Sequence, residues 1–253
     1  MSGDLAGKRI LVTGIATAES IAYAVARRAQ EEGATVVLTA MQRDLDAAKE
    51  LASTLPHEPE RILALDATSR RDLDELAVAL DGRCDGALHA IAFAPRNALA
   101  SVIGVPAADV ELAFRTSVWS YAALAEVLAD AAPSTGASLV GLHFDAQGAW
   151  PVYSWMGVMK AALLSTNQYL ARELGARRVR TNLVAAGPLA TRAATAIPGF
   201  ESLLDHWEER SPLPWDTRDA VVVADAVCWL LSDRSQATTG SVVHVDGGTH
   251  AVR

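Results

Sequence analysis

The chain of 253 residues lacks several features that would each commit it to a function. It has only two cysteines, Cys84 and Cys228, too far apart to fit a metal-ligand or redox spacing. No metal site is expected. Basic runs are missing and the formal net charge is −8. A surface that tracks phosphates is therefore disfavoured, and no nucleic-acid partner is expected. No apolar run reaches membrane-spanning length and no signal peptide is evident, so the expected location is the cytoplasm, with no membrane partner. No Pro/Gly/Ser-rich linker and no internal repeat divides the chain. The G-x-G-x-x-G of many dinucleotide sites is also incomplete, since only its first glycine, Gly14, is present.

Short apolar runs instead alternate with helical stretches, and 51% of the residues are hydrophobic. That is enough to bury one large core, so disorder is not expected. Strands are expected at 8–13, 35–39, 61–65, 86–92, 137–142, 180–185 and 241–245. Helices are expected at 20–32, 45–55, 71–80, 110–132, 157–174 and 220–231. Such alternation predicts an α/β fold, a single Rossmann-type doubly wound parallel sheet with helices on both faces. One dinucleotide-binding and catalytic domain would span 1–253. The least regular segment is 187–214, rich in Ala, Gly and Pro. In open α/β sheets the ligand sits at the carboxyl ends of the strands, where every motif below falls.

Tyr153 and Lys160 are seven residues apart at the start of an Ala-rich helical stretch. Seven steps return to nearly the same helix face, about 10 Å along the axis. A phenol (ordinary pKa ~10) and an ammonium (~10.4) would then share one side. The positive charge favours the ionised phenol and makes it a better proton donor. Such a pair suits a reaction in which negative charge builds on an oxygen. In isolation, a Tyr and a Lys at helical spacing are more often a surface pair.

At the first strand end, Gly14 would permit a tight turn, and amides near Ser20 and Ile21 would face a pyrophosphate at a helix N-terminus. Ser20 reads equally as a simple cap. Asp66 after the third strand could accept a hydrogen bond from an adenine amino group, or cap its own turn. The second strand ends in Ala40-Met41-Gln42-Arg43, with no acidic residue for a ribose 2′-hydroxyl. Arg43 could pair with a 2′-phosphate or be solvated.

Gly14-x5-Ser20-Ile21-Ala22, His89-Ala90-Ile91-Ala92-Phe93-Ala94-Pro95, Tyr153-x6-Lys160, Ala186-Gly187-Pro188-Leu189-x-Thr191 and Val245-Asp246-Gly247-Gly248 occur in this order. The combination resembles the NADH-dependent enoyl-acyl-carrier-protein reductases of the short-chain dehydrogenase superfamily, and most of all their actinobacterial branch. Ordinary members of that superfamily use Tyr-x3-Lys. Carbonyl-reducing members also carry a serine about a dozen residues before the tyrosine. Val140 and Gly141 occupy that region here, and Ser138 is expected on the wrong sheet face.

The resemblance implies hydride transfer from NADH to the β-carbon of a trans-2-enoyl thioester, carried on acyl-carrier protein or CoA. It implies Tyr153, Lys160 and Phe144 as catalytic residues. For the cofactor it implies Gly14, Ile15, Ser20, Ile21, Met41, Asp66, Ala67, Ile91, Ala92, Lys160, Leu189 and Thr191. It also implies a homotetramer and a substrate lid at about 191–215, with Ile197, Phe200, Leu203 and Leu204 as an apolar lid face or a short helix packed on the core. Trp150, Trp155, Trp207 and Trp215 read as packing or lid residues. Ala92 stands where the family commonly has glycine, and His143 where many members have tyrosine at or next to this place. Two alternatives stay open: an enoyl reductase of specialised lipid or polyketide metabolism, and a cofactor-binding regulator with a weakened site.

Overall fold

The computed structural model describes residues 3–252, so Met1, Ser2 and Arg253 of the expected domain lie outside the described residues. In chain order the main elements are β1 (Arg9–Val12), α1 (Ile21–Glu31), β2 (Thr35–Ala40), α2 (Leu45–Ala52), β3 (Arg61–Ala64) and α3 (Arg70–Leu80). They continue with β4 (Gly86–His89), α4 (Arg96–Ala100), α5 (Ala107–Phe114), α6 (Ser120–Ala131), β5 (Ala137–His143) and α7 (Ser154–Leu174). The chain ends with β6 (Val179–Ala186), α8 (Arg192–Thr195), α9 (Glu201–Arg210), α10 (Val221–Leu231) and β7 (Val242–Val245).

The seven strands form one sheet in the order β3-β2-β1-β4-β5-β6-β7, with every neighbouring pair parallel. The strands read as continuous apolar runs because both faces are covered. Val12, Leu38, Leu88, Val140 and Val184 face one core, which α1 and α10 close. Leu11, Val37, Ala87, Leu139 and Leu183 face the other, which α3, α6 and α7 close. The strand order reverses direction between β1 and β4, and a crevice opens at the carboxyl side of such a switch point. No helix among the described residues is long and apolar enough to cross a membrane.

Local chemistry sets the boundaries. Ser20 caps α1 by accepting the Tyr23 amide at 3.2 Å, and Ser69 caps α3 through the Asp72 amide. The fourth strand was expected to reach residue 92 but stops at His89, because the Ala90 amide turns away to Thr13 Oγ1 at 3.2 Å. The helix expected at 110–132 starts earlier, just after Pro106. It also widens into a single π-turn at Arg115–Trp119, which joins α5 to α6. The segment expected to be irregular contains α8 and α9, and α4 follows Pro95.

Gly141 lies beneath α6, and a Cβ there would sit 2.7 Å from Leu183 Cδ2 and 2.9 Å from Tyr121 Cε2. Both neighbours are fully buried, so neither yields without disturbing the core. Gly141→Ala is expected to destabilise the protein by about 1–3 kcal/mol through overpacking. Urea unfolding checks this; an unchanged midpoint would show that the Tyr121 layer has slack.

Candidate active site

A cleft of about 740 Å³ opens across the carboxyl ends of β1, β4, β5 and β6. Its nucleotide end is shaped by Gly14, whose φ of +77° few side chains tolerate. A Cβ there would also lie 2.5 Å from the Ala90 carbonyl oxygen, so glycine is needed twice over. The amides of Gly14 and Ile15 both donate to the Thr39 carbonyl, at 3.0 and 3.2 Å, which ties this turn to the end of β2. Ser20 and Ile21 bring the start of α1 onto the cleft wall, and the first turn of α1 has no acidic side chain. Thr17 lines the cleft beside them, and its buried Oγ1 finds no partner among the described residues. The Ser20 amide itself donates to the Thr17 carbonyl at 3.1 Å, so the positive end of the helix dipole and the unpaired Thr17 hydroxyl are what fit the pyrophosphate of a dinucleotide.

The chemical end of the cleft is built by β5 and α7. Tyr153 and Lys160 both line it, together with Phe144. The Phe144 ring centroid is 4.9 Å from that of Tyr153 and 5.5 Å from that of Trp207. Phe144 is thus a core residue and a wall residue at once. The Lys160 ammonium is almost fully buried and donates to the Leu142 carbonyl at 2.9 Å. Burial brings Lys160 down to about 8. Burial also pushes the Tyr153 phenol above its ordinary value, which corrects the expectation of a more acidic phenol. Desolvation of the phenolate is the cause. The phenol is held protonated, as a hydrogen-bond donor must be. Val152 (φ 54°) and Ser154 (φ 36°) hold Tyr153 between two left-handed residues, a conformation a β-branched side chain rarely adopts.

Ser138 is fully turned away. Its hydroxyl donates to the Leu230 carbonyl of α10 at 2.8 Å, on the face opposite α7. Ser117, on the π-turn, grips the strand-end loop by accepting the Phe93 amide at 3.0 Å and donating to the Phe93 carbonyl at 3.1 Å. This holds Ile91 and Ala92 against the cleft. Two indoles pin the opposite wall: Trp215 donates to the Pro188 carbonyl at 2.8 Å and Trp207 to the Asp246 carbonyl at 3.0 Å. A Cβ on Gly187 would meet both rings within 3 Å, so their approach requires glycine there. Leu189 and Thr191 follow on the cleft wall. Within 191–215, Ile197, Phe200 and Leu203 line the cleft, and Phe200, Leu203 and Trp207 are also buried against Phe144.

Ten sequence-derived positions thus line one cleft: Gly14, Ser20, Ile21, Ile91, Ala92, Phe144, Tyr153, Lys160, Leu189 and Thr191. Four do not. Ile15 is buried in the core with α1, and Ala67 in the core with α3. Met41 is partly exposed at the end of β2, outside the cleft lining. Asp66 also lies outside it, and its Oδ1 accepts the Thr68 amide (2.9 Å) and hydroxyl (2.7 Å), the turn-forming role. The sequence reading missed Thr17, Arg96, Met156 and Arg192, which also line the cleft. Met156 is one helical turn before Lys160 on α7, a spacing that could have signalled it; Thr17, Arg96 and Arg192 come from separate elements and carry no shared spacing.

His143 lines the cleft, buried, with no partner for Nδ1 among the described residues. Register places it level with Ala185 and then His244 on the next two strands, on the α7 face. Burial first, then Lys160 and His244, bring His143 down to about 3. His89, hydrogen-bonded to Ser120 Oγ at 2.8 Å, is brought to about 3 by burial and then Lys160.

With this geometry the comparison with known proteins is direct. The family model for enoyl-(acyl carrier protein) reductase matches residues 14–250. The chain belongs to that family. It is 41% identical to the NADH enoyl-(acyl-carrier-protein) reductase of Mycolicibacterium smegmatis, over 98% of both chains. It is 40% identical to that of Mycobacterium avium, again over 98% of both. Identity to the corresponding Escherichia coli enzyme is 34%, over 97% of this chain and 95% of the relative.

The two buried histidines generate a pH dependence. Unfolded, each titrates near ~6.5. Folded, each stays neutral down to about 3. Between those values the unfolded chain binds more protons, so stability falls as pH falls through that window. At pH 5 the loss is on the order of 2 kcal/mol per histidine. His143→Gln is expected to flatten the fall in unfolding free energy between pH 7 and pH 5. The same slope in the variant and the parent would remove His143 from the acid response.

Proposed function

We propose that this chain reduces the trans-2 double bond of enoyl thioesters on acyl-carrier protein, using NADH, in cytoplasmic type II fatty-acid elongation. One observation carries the reading. Tyr153 and Lys160 stand seven residues apart on one cleft wall beside Phe144, while Ser138 of β5 faces the other side of the sheet. A ketone reductase needs that second hydroxyl on the substrate oxygen, and an enoyl thioester reductase does not. When bound, NADH supplies the hydride for the β-carbon. The Tyr153 hydroxyl donates to the thioester oxygen, where enolate charge develops. The Lys160 ammonium holds the nicotinamide ribose. The start of α1 and Thr17 take the pyrophosphate, Ile91 and Ala92 the ribose side, and Leu189 and Thr191 the carboxamide end.

The aromatic layer of Phe144, Trp150, Phe200 and Trp207 excludes water from the reacting bond. We read 191–215 as the lid of a single catalytic domain. The intact Tyr153–Lys160 pair supports catalysis over a purely regulatory role. We also propose a homotetramer. The support is a set of exposed apolar side chains on the long helices: Leu112, Phe114, Trp119, Val158 and Tyr169. Light scattering at micromolar concentration should give four times the chain mass, and a monomeric mass would rule the assembly out.

Three outcomes test the chemistry. NADH oxidation is expected with a trans-2-enoyl thioester and not with a β-ketoacyl thioester; the reverse pattern would overturn the proposal. Tyr153→Phe should lower kcat on the order of a hundredfold. Lys160 loses its proton as pH rises through about 8 in the ligand-free protein, so NADH affinity should weaken across that pH. Lys160→Ala should bind NADH weakly at every pH. A flat affinity profile for the parent would show that the ammonium does not hold the cofactor.

Chain length provides a further check. The lid offers only the short α8 and α9 to cover an acyl chain. Each covered methylene contributes about 0.8 kcal/mol when fully dehydrated. Short and medium enoyl chains should therefore have higher kcat/KM than very long ones. A steady rise to the longest chains would show that this lid sets no limit.

A further inference from the structure

The chain leaves β2 at Met41 and makes one tight turn at Gln42–Asp44. In sheets of this topology the end of β2 meets the adenosine ribose of a bound dinucleotide. Arg43, on this turn, lines the cleft. So does Arg192, which opens α8 far along the sequence. One carboxylate holds both. Asp44 Oδ2 lies 3.5 Å from Arg43 Nε, and Asp44 Oδ1 accepts from Arg192 Nη2 at 3.4 Å. The Arg43 and Arg192 side chains are 79% and 60% exposed, whereas the Asp44 side chain is only 21% exposed and lies outside the cleft lining. The nearby acid Asp46 has its own cation in Lys49. The turn therefore presents two arginines to the ligand with one negative charge set behind them.

Two guanidiniums near a ribose are the chemistry that binds a phosphate monoester. NADPH differs from NADH by such a group on the 2′-oxygen. Asp44 cancels one of the two positive charges, occupies donors of both, and repels an incoming dianion. A neutral 2′-hydroxyl feels little of this. We infer that Arg43 and Arg192 form a latent 2′-phosphate site that Asp44 keeps closed, so that Asp44 sets the choice of NADH over NADPH. The inference rests on the reading of this cleft as a nicotinamide-dinucleotide site.

The test is direct binding, without turnover. NADH and NADPH are titrated by fluorescence into the parent, Asp44→Asn, Arg192→Gln and the double variant, at low and moderate salt. Asp44→Asn should tighten NADPH about tenfold, the effect of removing one charge some 5 Å from a dianion in a water-like medium. NADH should change little. The gain should shrink with added salt, and the double variant should bind NADPH more weakly than Asp44→Asn, because one of the two guanidiniums is gone. Arg192→Gln alone should weaken NADPH further, because Asp44 is then less neutralised. Equal NADPH affinity in the parent and Asp44→Asn would overturn the inference. So would equal tightening of both dinucleotides, or a double variant that binds NADPH as tightly as Asp44→Asn. If the parent bound neither dinucleotide, the proposed function would fall instead.

Discussion

The hydrogen bond from the Lys160 ammonium to the Leu142 carbonyl ties the rest of the site together. It anchors α7 to the last turn of β5, the strand that also delivers His143 and Phe144 to the cleft. An ammonium buried this deeply needs a partner, and the strand end supplies a carbonyl that the sheet leaves free. Tyr153, one residue before α7, is then fixed over the same strand end. Burial keeps its phenol protonated and lowers the lysine. Desolvation is thus the one cause that shifts both groups.

The packing of α9 depends on the same strand. Phe144 stacks against Tyr153 on one side and Trp207 on the other, so α9 is packed onto the tyrosine through one ring. Trp207 in turn donates to the Asp246 carbonyl, just beyond the end of β7. Trp150 joins the layer at 5.0 Å from Trp207. Such aromatic contacts combine large buried area with fixed orientation. Gly187 and Gly199 permit this packing: a Cβ on either would collide, with Trp215 and Trp207 or with Val152 respectively.

Opposite, the nucleotide end is backbone-built. Gly14 turns under the Ala90 carbonyl, the Thr39 carbonyl takes two successive amides, and the π-turn sends Ser117 to clamp Phe93. An extra residue in a helical turn is a common device at functional sites, since it redirects one side chain without ending the helix. The buried polar groups His89, Ser117 and Ser120 all gather there.

The sequence by itself determined the alternating elements, the parallel sheet and the order of its motifs. Periodicity and the Ser20 cap are local signals, and they survived into the fold. The Tyr153–Lys160 spacing is also legible, but Tyr153 stands one residue before α7 and next to Ser154 at φ 36°, so the tertiary structure and not helix periodicity places its phenol. Only the tertiary structure decided the rest. Ile15 and Ala67 carry no mark that separates a buried methyl from one facing a ligand. Asp66 was a choice between a ligand contact and its own turn, and the competing Thr68 donors were invisible without coordinates. The Arg43–Asp44–Arg192 cluster joins residues 148 positions apart. The shift of Tyr153 depends on burial, a property of the assembled core. Patterns spanning a few turns are written along the chain, whereas desolvation and long-range pairing exist only once the layers have closed.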